Sequence, residues 1–330
     1  EYVIAGFRLA KRLGLSFGLL PFSNIGYSYS NTKALNSTDG STSVVKATNT
    51  YSGTGGLHQV YLGLGWSPFK GFAIGVNAAY LWGDYSRSVI NSYTDAYANT
   101  LSKYYTAEVH NYKLDFGMQY TQKITKNDAI TLGVTYGLGH KLSSDPKCQI
   151  ISTNAQTAVA DTATYSIGNG LELPHSYGVG LMWNHANRWR VGADYTLQKW
   201  SSVAYPKFDT STNSYELVSG QFADRHKMTV GGEFCPDERS RSFFKRVHYR
   251  MGASYATDYL KIKGQNGPKE YSVSAGFGIP IVNGYNNRSL LNISAQWVRQ
   301  DSKTFVTENS FRINIGLTFN ERWFAKWKME

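Results

Sequence analysis

The chain has 330 residues, and its composition favours β-structure because Gly (32), Tyr (24), Phe (16) and Trp (8) are abundant while only 17% of residues are charged. No run of about 18 apolar residues occurs, which excludes a transmembrane helix. The net charge of +11 does not indicate a nucleic-acid partner, because the basic residues are dispersed and many lie in predicted turns, where anionic lipid headgroups account for them.

An early strand-like segment of the chain carries a proline in its interior. Apolar residues alternate with small or polar ones from Leu15 to Leu19. After Pro21 the alternation resumes at Tyr27 and Tyr29. Proline cannot donate to a β ladder and is confined to edges, first positions and bulges. The pattern therefore predicts a break in strand pairing within two residues of Pro21.

Later segments alternate without interruption. Four apolar faces are Ile130, Leu132, Val134 and Tyr136; Tyr177, Val179, Leu181 and Trp183; Tyr271, Val273, Ala275 and Phe277; and Phe311, Ile313, Ile315, Leu317 and Phe319. A soluble sandwich would solvate its second face with Lys, Glu, Thr and Arg. Here that face is mostly Gly, Ser, Thr, Asn and Gln, and Tyr and Trp lie toward the strand ends. The sequence predicts a transmembrane antiparallel β-barrel, one domain over 1–330, with a polar lumen and an aromatic girdle.

Connection lengths indicate how the barrel is oriented. Short connections alternate with mostly longer ones, which we assign to 31–50, 87–105, 143–174, 201–222, 264–267 and 301–304. Short turns of such barrels are periplasmic and long loops extracellular. About thirteen strands result, and single-chain bacterial barrels have even numbers. We therefore expect one more strand before Tyr2. The chain opens on Glu-Tyr-Val with no signal sequence, so either a signal peptide has been removed or an N-terminal piece is absent.

Two stretches resemble the FadL-type outer-membrane transporters in their Bacteroidetes form. They are Gly18-Leu-Leu-Pro-Phe-Ser-Asn-Ile-Gly-Tyr27 and the ending Phe311-Arg-Ile-Asn-Ile-Gly-Leu-Thr-Phe-Asn-Glu-Arg-Trp-Phe324. The resemblance implies a 14-stranded barrel, an N-terminal plug in the lumen and uptake of hydrophobic molecules such as long-chain fatty acids or aromatic hydrocarbons. The plug segment is not in this sequence. It also implies that the Pro21 strand is the third, the one that kinks inward and opens the wall.

Two interpretations of Pro21 stay open. One is a lateral opening lined by Leu20, Pro21, Phe22, Ser23 and Asn24, and the other is a bulge near the outer rim, where it costs little. Polar residues follow the proline because backbone groups freed beside it need side-chain or water partners in a membrane. Inside the lumen, candidate ligand or charge contacts are Arg190, Arg250, Arg312, Asp115 and Asp194, with Glu233 as a further pairing partner.

Three functions are compatible with these features. The first is an outer-membrane transporter for hydrophobic small molecules with lateral exit. The second is a non-transporting barrel subunit of a larger outer-membrane assembly, which a lumen blocked by charge pairs would favour. The third is a hydrolase, which lacks support because His175 and Ser176 are adjacent and point to opposite faces of a strand. We expect no enzyme activity, cofactor or metal.

The expected partners are membrane lipids and lipopolysaccharide, a hydrophobic ligand, and other outer-membrane proteins for the second function. We further expect a periplasmic anchor after the last strand. Its members are Trp323, Trp327, Arg322, Lys326 and Lys328. Cys148 lies in a predicted outer loop and Cys235 beside a short turn, so the two are expected to be free and far apart.

Overall fold

The computed structural model describes residues 2–35, 45–262, 264–282, 288–302 and 307–319. Most of them form strands, which in chain order are β1 Val3–Ala10, β2 Leu13–Leu35, β3 Val45–Phe69, β4 Phe72–Tyr93, β5 Thr100–Lys123, β6 Asp128–Gly137, β7 His140–Leu142, β8 Lys147–Thr153, β9 Ala160–Ser166, β10 Leu171–Leu173, β11 Ser176–His185, β12 Trp189–Gln198, β13 Tyr205–Asp209, β14 Ser214–Val218, β15 Arg225–Phe234, β16 His248–Ala256, β17 Lys261–Ile262, β18 Gln265–Asn266, β19 Lys269–Val282, β20 Arg288–Asp301 and β21 Glu308–Thr318. Helix α1 covers Phe243–Arg246, and a 3-10 turn covers Trp200–Ser202.

One large antiparallel sheet dominates the fold. Its main path has thirteen strands in the order β1-β2-β3-β4-β5-β6-β11-β12-β15-β16-β19-β20-β21. Strands β8 and β9 extend it sideways from the outer part of β5. The pairs β7–β10, β13–β14 and β17–β18 are separate two-stranded sheets, of which the last two are hairpins, whereas β8 and β9 lie between β7 and β10 in the chain. Among the described residues, no helix is long and apolar enough to cross a membrane.

The predicted alternation of faces is confirmed by the register. Leu132, Leu181 and Val230 lie on one face and are 47%, 52% and 55% exposed. On the opposite face, small and polar residues are paired across the sheet, for example Gly133 and Thr135 of β6 with Gly180 and Gly178 of β11. Large apolar side chains therefore cover the outer wall, and the inner wall is polar, as expected for an all-β transmembrane barrel.

The two edges of the main sheet approach each other. Thirteen successive antiparallel strands make β1 and β21 run in the same direction. A Cβ added to Gly316 of β21 would lie 3.8 Å from the Tyr2 hydroxyl just before β1. Among the described residues β1 pairs only with β2 and β21 only with β20. The sheet thus curls strongly, while the expected fourteenth strand stays a prediction.

Several predicted loop boundaries are wrong. The segments 31–50 and 87–105 were expected to be loops, whereas β2 runs to Leu35, β3 begins at Val45, β4 ends at Tyr93 and β5 begins at Thr100. The segments 143–174 and 201–222 contain β8, β9, β10, β13 and β14. Runs of Ser, Thr and Tyr are typical of loops, but these residues also form strands where both faces of a sheet lie outside the lipid. The predicted C-terminal anchor lies outside the described residues.

Candidate functional site

Pro21 lies at a one-residue bulge in the β2–β3 ladder. Pairing runs in register from Leu13 to Pro21, which lies opposite His58, and resumes with Ser23 opposite Leu57. Phe22 is the extra residue. The Ser23 hydroxyl accepts a hydrogen bond from the Leu57 N–H, with Oγ and N 3.1 Å apart. A polar side chain after the proline therefore takes a backbone donor at the interruption.

The bulge reverses which face of β2 each residue occupies. Below it, Leu19 is in register with the outward-facing Val60 and Tyr80. Above it, Tyr27 is in register with Gly53 and Arg87 on the inner face. The alternating apolar residues Leu15, Phe17, Leu19, Tyr27 and Tyr29 all have odd numbers, so a strand without a bulge would keep them on one face. One inserted residue moves the tyrosines from the lipid-facing side to the inside.

The bulge belongs to a line of backbone irregularities that crosses three strands. Gly56 of β3 is opposite Asn24, and Gly83 of β4 is opposite Leu57. Gly83 has a φ of 144°, a conformation that favours glycine, and a Cβ there would collide with the Gly56 carbonyl oxygen. The backbones approach closely along this line, which we call the bend.

The bend lies near the expected outer edge of the bilayer. A tilted barrel strand needs about 9–11 residues to cross the hydrocarbon core. Strands β11, β12 and β15 have 10 residues each. In β2, which has 23 residues, Pro21 is the ninth residue counted from Leu13 beside the short β1–β2 turn. Residues beyond the bend therefore form a sheet that rises above the membrane.

The five residues of the predicted lateral opening are close together, as neighbours in one strand, but they have different surroundings. Leu20 and Asn24 still pair with β3, opposite Gln59 and Gly56. On the other side of β2, the pairing with β1 ends at Leu19, so residues 20–24 have no β1 partner among the described residues. Phe22 is 36% exposed. A lateral opening thus stays a prediction for the β1 side of this strand.

The candidate lumen charges form one cluster and several separate side chains. Glu233 of β15 binds Arg190 of β12 at 2.9 Å and Arg250 of β16 at 2.6 Å. The His248 Nδ1 lies 3.2 Å from Glu233 Oε1, and Arg250 also donates to the Asn292 side chain at 2.6 Å. Two arginines on one carboxylate leave this part of the wall with an excess of positive charge.

The other candidates do not join this cluster. Asp115 forms an ion pair with Lys113 of the same strand, a partner that the sequence did not suggest. In the described part of the chain, neither Asp194 nor Arg312 lies within ion-pair distance of an opposite charge. Asp194 and Glu233 border a cavity of about 660 Å³ along the inner wall, which also includes Arg190 and Lys227.

A tyrosine–arginine cluster above the bend was missed by sequence reasoning. Arg87 lies over the Tyr105 ring, with the guanidinium carbon 4.6 Å from the ring centroid. Tyr105 contacts Tyr215 of β14, with ring centroids 6.4 Å apart. Burial, and then the neighbouring Cys148, raises the pKa of Tyr105 to about 12. Burial also raises the pKa of Tyr85 and of Tyr215. The cluster holds the β13–β14 hairpin against the inner face of the raised sheet.

An apolar core is packed at the bend on the lumen side. Leu81 and Val109 of the wall are 0% and 1% exposed, and they cluster with Leu142 of β7 and Leu173 of β10. Alternation alone could not reveal it, because β7 and β10 have three residues each. Cys148 and Cys235 are both buried and free, as predicted, and lie at opposite ends of the barrel, one in β8 and one after β15.

The chain matches the BamG family over residues 1–330. It belongs to the BamG family. Among curated proteins, none matches the sequence of this BamG-family chain.

Solved structures with a similar fold include hydrocarbon channels and transporters of low sequence identity. The CymD monoaromatic hydrocarbon channel has a TM-score of 0.64 and 12% identity, covering 98% of this chain and 83% of that one. The Pseudomonas putida toluene transporter TodX has a TM-score of 0.58 and 13% identity over 98% and 82%. A Pseudomonas aeruginosa FadL homologue has a TM-score of 0.51 and 13% identity over 87% and 69%. The FadL-type barrel implied by the resemblance is thus confirmed as a fold.

Proposed function

We propose that this BamG-family protein is a non-transporting β-barrel subunit of a larger assembly in the bacterial outer membrane. The observation that carries the proposal is the apolar core at the outer end of the lumen. Leu81 and Val109 of the wall are buried there with Leu142 of β7 and Leu173 of β10. This core occupies part of the outer end of the lumen and narrows the path by which a solute would enter from outside.

Two further features argue against passage of an apolar solute through the barrel or its wall. Pairing between β2 and β3 continues on both sides of the single bulge, and Ser23 takes the Leu57 N–H there. Deeper in the lumen, Glu233 joins Arg190 and Arg250 by ion pairs, and an apolar solute gains nothing from contact with such charges. A barrel of this kind offers its outward wall and its raised sheet as contact surfaces for other membrane proteins, with no catalytic step.

Photo-crosslinking in living cells tests this proposal. A photoreactive residue is placed at an outward position of the wall, with Leu132, Leu181, Val230 and Val273 as sites, and at Thr229 as the lumen-facing control beside Val230. We expect at least one outward site to give a discrete adduct with another membrane protein, whereas Thr229 gives none. Cells without the chain should take up toluene and oleate at the normal rate. Absence of adducts at all outward sites, with loss of uptake in the deletion strain, would contradict the proposal.

The second candidate is a transporter for hydrophobic molecules with lateral exit beside Pro21. The likeness of fold to hydrocarbon channels favours it, as does the unpaired β1 side of residues 20–24. In that case Pro21→Val, which restores an N–H to the strand, should reduce uptake without unfolding the barrel. Pro280→Val is the matched control, because Pro280 lies within the continuous β19–β20 ladder. Equal uptake by both variants and by the parent protein would remove this candidate.

A further inference from the structure

The connection between β15 and β16 differs from the other turns at its end of the barrel. Its neighbours on that side are short, such as 11–12 between β1 and β2 and 186–188 between β11 and β12. The β15–β16 connection runs from Cys235 to Val247 and contains α1. Two adjacent phenylalanines of α1, Phe243 and Phe244, are 46% and 71% exposed. Large apolar side chains in such a position require an explanation.

This connection has a fixed shape. The Asp237 N–H donates to the Lys245 carbonyl at 2.9 Å, which closes the loop at the base of α1. Cys235 is 2% exposed, and its N–H donates to the Arg188 carbonyl of the neighbouring turn at 2.9 Å. The Cys235 Sγ lies 3.9 Å from the Lys245 carbonyl oxygen. Phe243 and Phe244 are therefore exposed on a connection whose conformation is held by hydrogen bonds.

The position of α1 is on the lipid-facing side of the wall. The Tyr249 hydroxyl donates to the Phe244 carbonyl at 3.1 Å. Tyr249 lies on the outward face of β16, where its ring is 5.8 Å from that of Phe277. Trp189 and Phe234 stack at 4.2 Å on the outward face of β12 and β15. Phe243 and Phe244 thus continue the aromatic row at the end of the membrane span.

The charge of the connection complements a negatively charged surface. Four basic residues, Arg239, Arg241, Lys245 and Arg246, stand against the two acids Asp237 and Glu238, which gives an excess of two positive charges. Arg239, Arg241 and Lys245 are exposed. Adjacent aromatic and basic side chains at a membrane interface place rings among acyl chains and cations on phosphates.

We propose that the Cys235–Val247 connection is a membrane anchor that inserts Phe243 and Phe244 into the periplasmic leaflet and binds anionic phospholipid headgroups through Arg239, Arg241 and Lys245. A lipid surface is favoured over a periplasmic protein because Tyr249 holds α1 beside the outward wall, which lipid covers. The anchor does not depend on whether the barrel transports a solute.

Depth-dependent quenching tests the anchor. Phe244→Cys carries an environment-sensitive fluorophore, and Phe243→Cys is a second variant for the event that the first does not fold. The native cysteines are buried and are checked for labelling in the parent protein. Tyr97→Cys, at a site 82% exposed in the β4–β5 connection on the opposite side, is the control. The proteins are placed in nanodiscs of phosphatidylethanolamine with 0% or 30% phosphatidylglycerol.

We expect lipids brominated near the headgroup end of the acyl chain to quench the Phe244 label at least twofold more than the Tyr97 label. Phosphatidylglycerol should increase this quenching, and the combined change Arg239→Gln, Arg241→Gln and Lys245→Gln should remove the increase. Equal quenching of both labels by aqueous iodide, with no effect of brominated lipid, would overturn the anchor and leave α1 as a surface for a periplasmic protein. Lipid quenching without any dependence on phosphatidylglycerol would overturn the headgroup contact.

Discussion

The barrel wall has one half made of short strands and one half made of long strands. Strands β11, β12 and β15 have 10 residues each, which is about the length that crosses the hydrocarbon core of a bilayer. Strands β2 and β3 have 23 and 25 residues and are longer than a crossing requires. A strand that stays in the bilayer needs only one alternation of lipid-facing and lumen-facing residues. A strand that leaves the bilayer passes from lipid to water on one face, and here the change coincides with a bulge and with glycines at the bend.

Tyrosine side chains have different surroundings below and above the bend. Below it, Tyr80 faces outward and is 48% exposed, as in an aromatic girdle. Above it, Tyr27 and Tyr105 face inward, toward Arg87 and the β13–β14 hairpin. The comparison shows that one inserted residue in β2 places the same alternating sequence pattern on the outer face below the bend and on the inner face above it.

The largest expected effect comes from closing the space at the bend. Gly83→Ala should destabilise the long half by roughly 2–4 kcal/mol, because a Cβ at a φ of 144° is strained and meets the Gly56 carbonyl oxygen. Limited proteolysis should then cut β3 and β4 above the bend. Gly133→Ala in β6 is the control, since no atom lies within 4 Å of a Cβ there. Equal protease resistance of both variants would show that the bend tolerates a side chain.

A change in the short half should leave the raised sheet intact. Glu233→Gln removes the charge shared by Arg190 and Arg250, and we expect a loss of about 2 kcal/mol in unfolding free energy. This value is below that of a fully buried pair because both arginine side chains are 39% exposed and water screens them. Urea unfolding in detergent micelles measures it, with Glu216→Gln on the β14 hairpin as control. No loss relative to Glu216→Gln would remove the cluster as a stabilising feature.

A smaller effect should appear at the bulge itself. Ser23→Ala removes the acceptor of the Leu57 N–H and should cost about 1 kcal/mol, whereas Ser23→Thr keeps a hydroxyl and should cost less. Hydrogen exchange of the Leu57 amide measures the local effect, which should be faster exchange in the alanine variant only. Unchanged exchange in Ser23→Ala would mean that water replaces the hydroxyl there.

The smallest effect expected is a pH dependence confined to the raised sheet. The folded protein raises the pKa of Tyr105 to about 12 from an ordinary value of 10.0, so folding favours its neutral form. The resulting stabilisation is complete below pH 10 and is lost as the pH rises from 10 to about 12. Absorbance at 295 nm should show a late tyrosinate phase that weakens in Tyr105→Phe. A single phase near pH 10 for all tyrosines would contradict the buried cluster.

Sequence reasoning succeeded wherever a residue's role depends on strand period alone. It placed Arg190, Arg250 and Arg312 on the inner face and Phe311, Ile313, Ile315 and Leu317 on the outer face, and the register agrees. It failed at 31–35 and 87–93, where strands were expected to be loops. Serine and threonine are common in loops and also on solvated sheet faces, so composition could not distinguish the two.

The proline shows the limit in one position. The sequence predicted interrupted pairing near Pro21, and the β2–β3 register shifts there by one residue. It did not reveal that Gly56 and Gly83 continue the irregularity on neighbouring strands, because strands far apart in sequence are aligned only by the folded sheet. The alternating apolar residues have odd numbers on both sides of the proline, from Leu15 to Leu19 and at Tyr27 and Tyr29. A one-residue bulge between the two groups places them on opposite faces of the sheet, and this was the clearest signal that sequence reasoning missed.

What the sequence by itself determined is the class of structure: period-two alternation with a polar inner face, no spanning helix and about thirteen strands. These follow from local chemistry, since each strand must satisfy lipid on one side and the lumen on the other. Only the tertiary structure decided which charges meet and what fills the outer lumen. Arg190 and Arg250 share Glu233, and the core of Leu81 and Val109 is completed by Leu142 of β7 and Leu173 of β10, two strands that are distant in sequence from Leu81. Such contacts depend on register and curvature, which a pattern of residues along one strand does not contain.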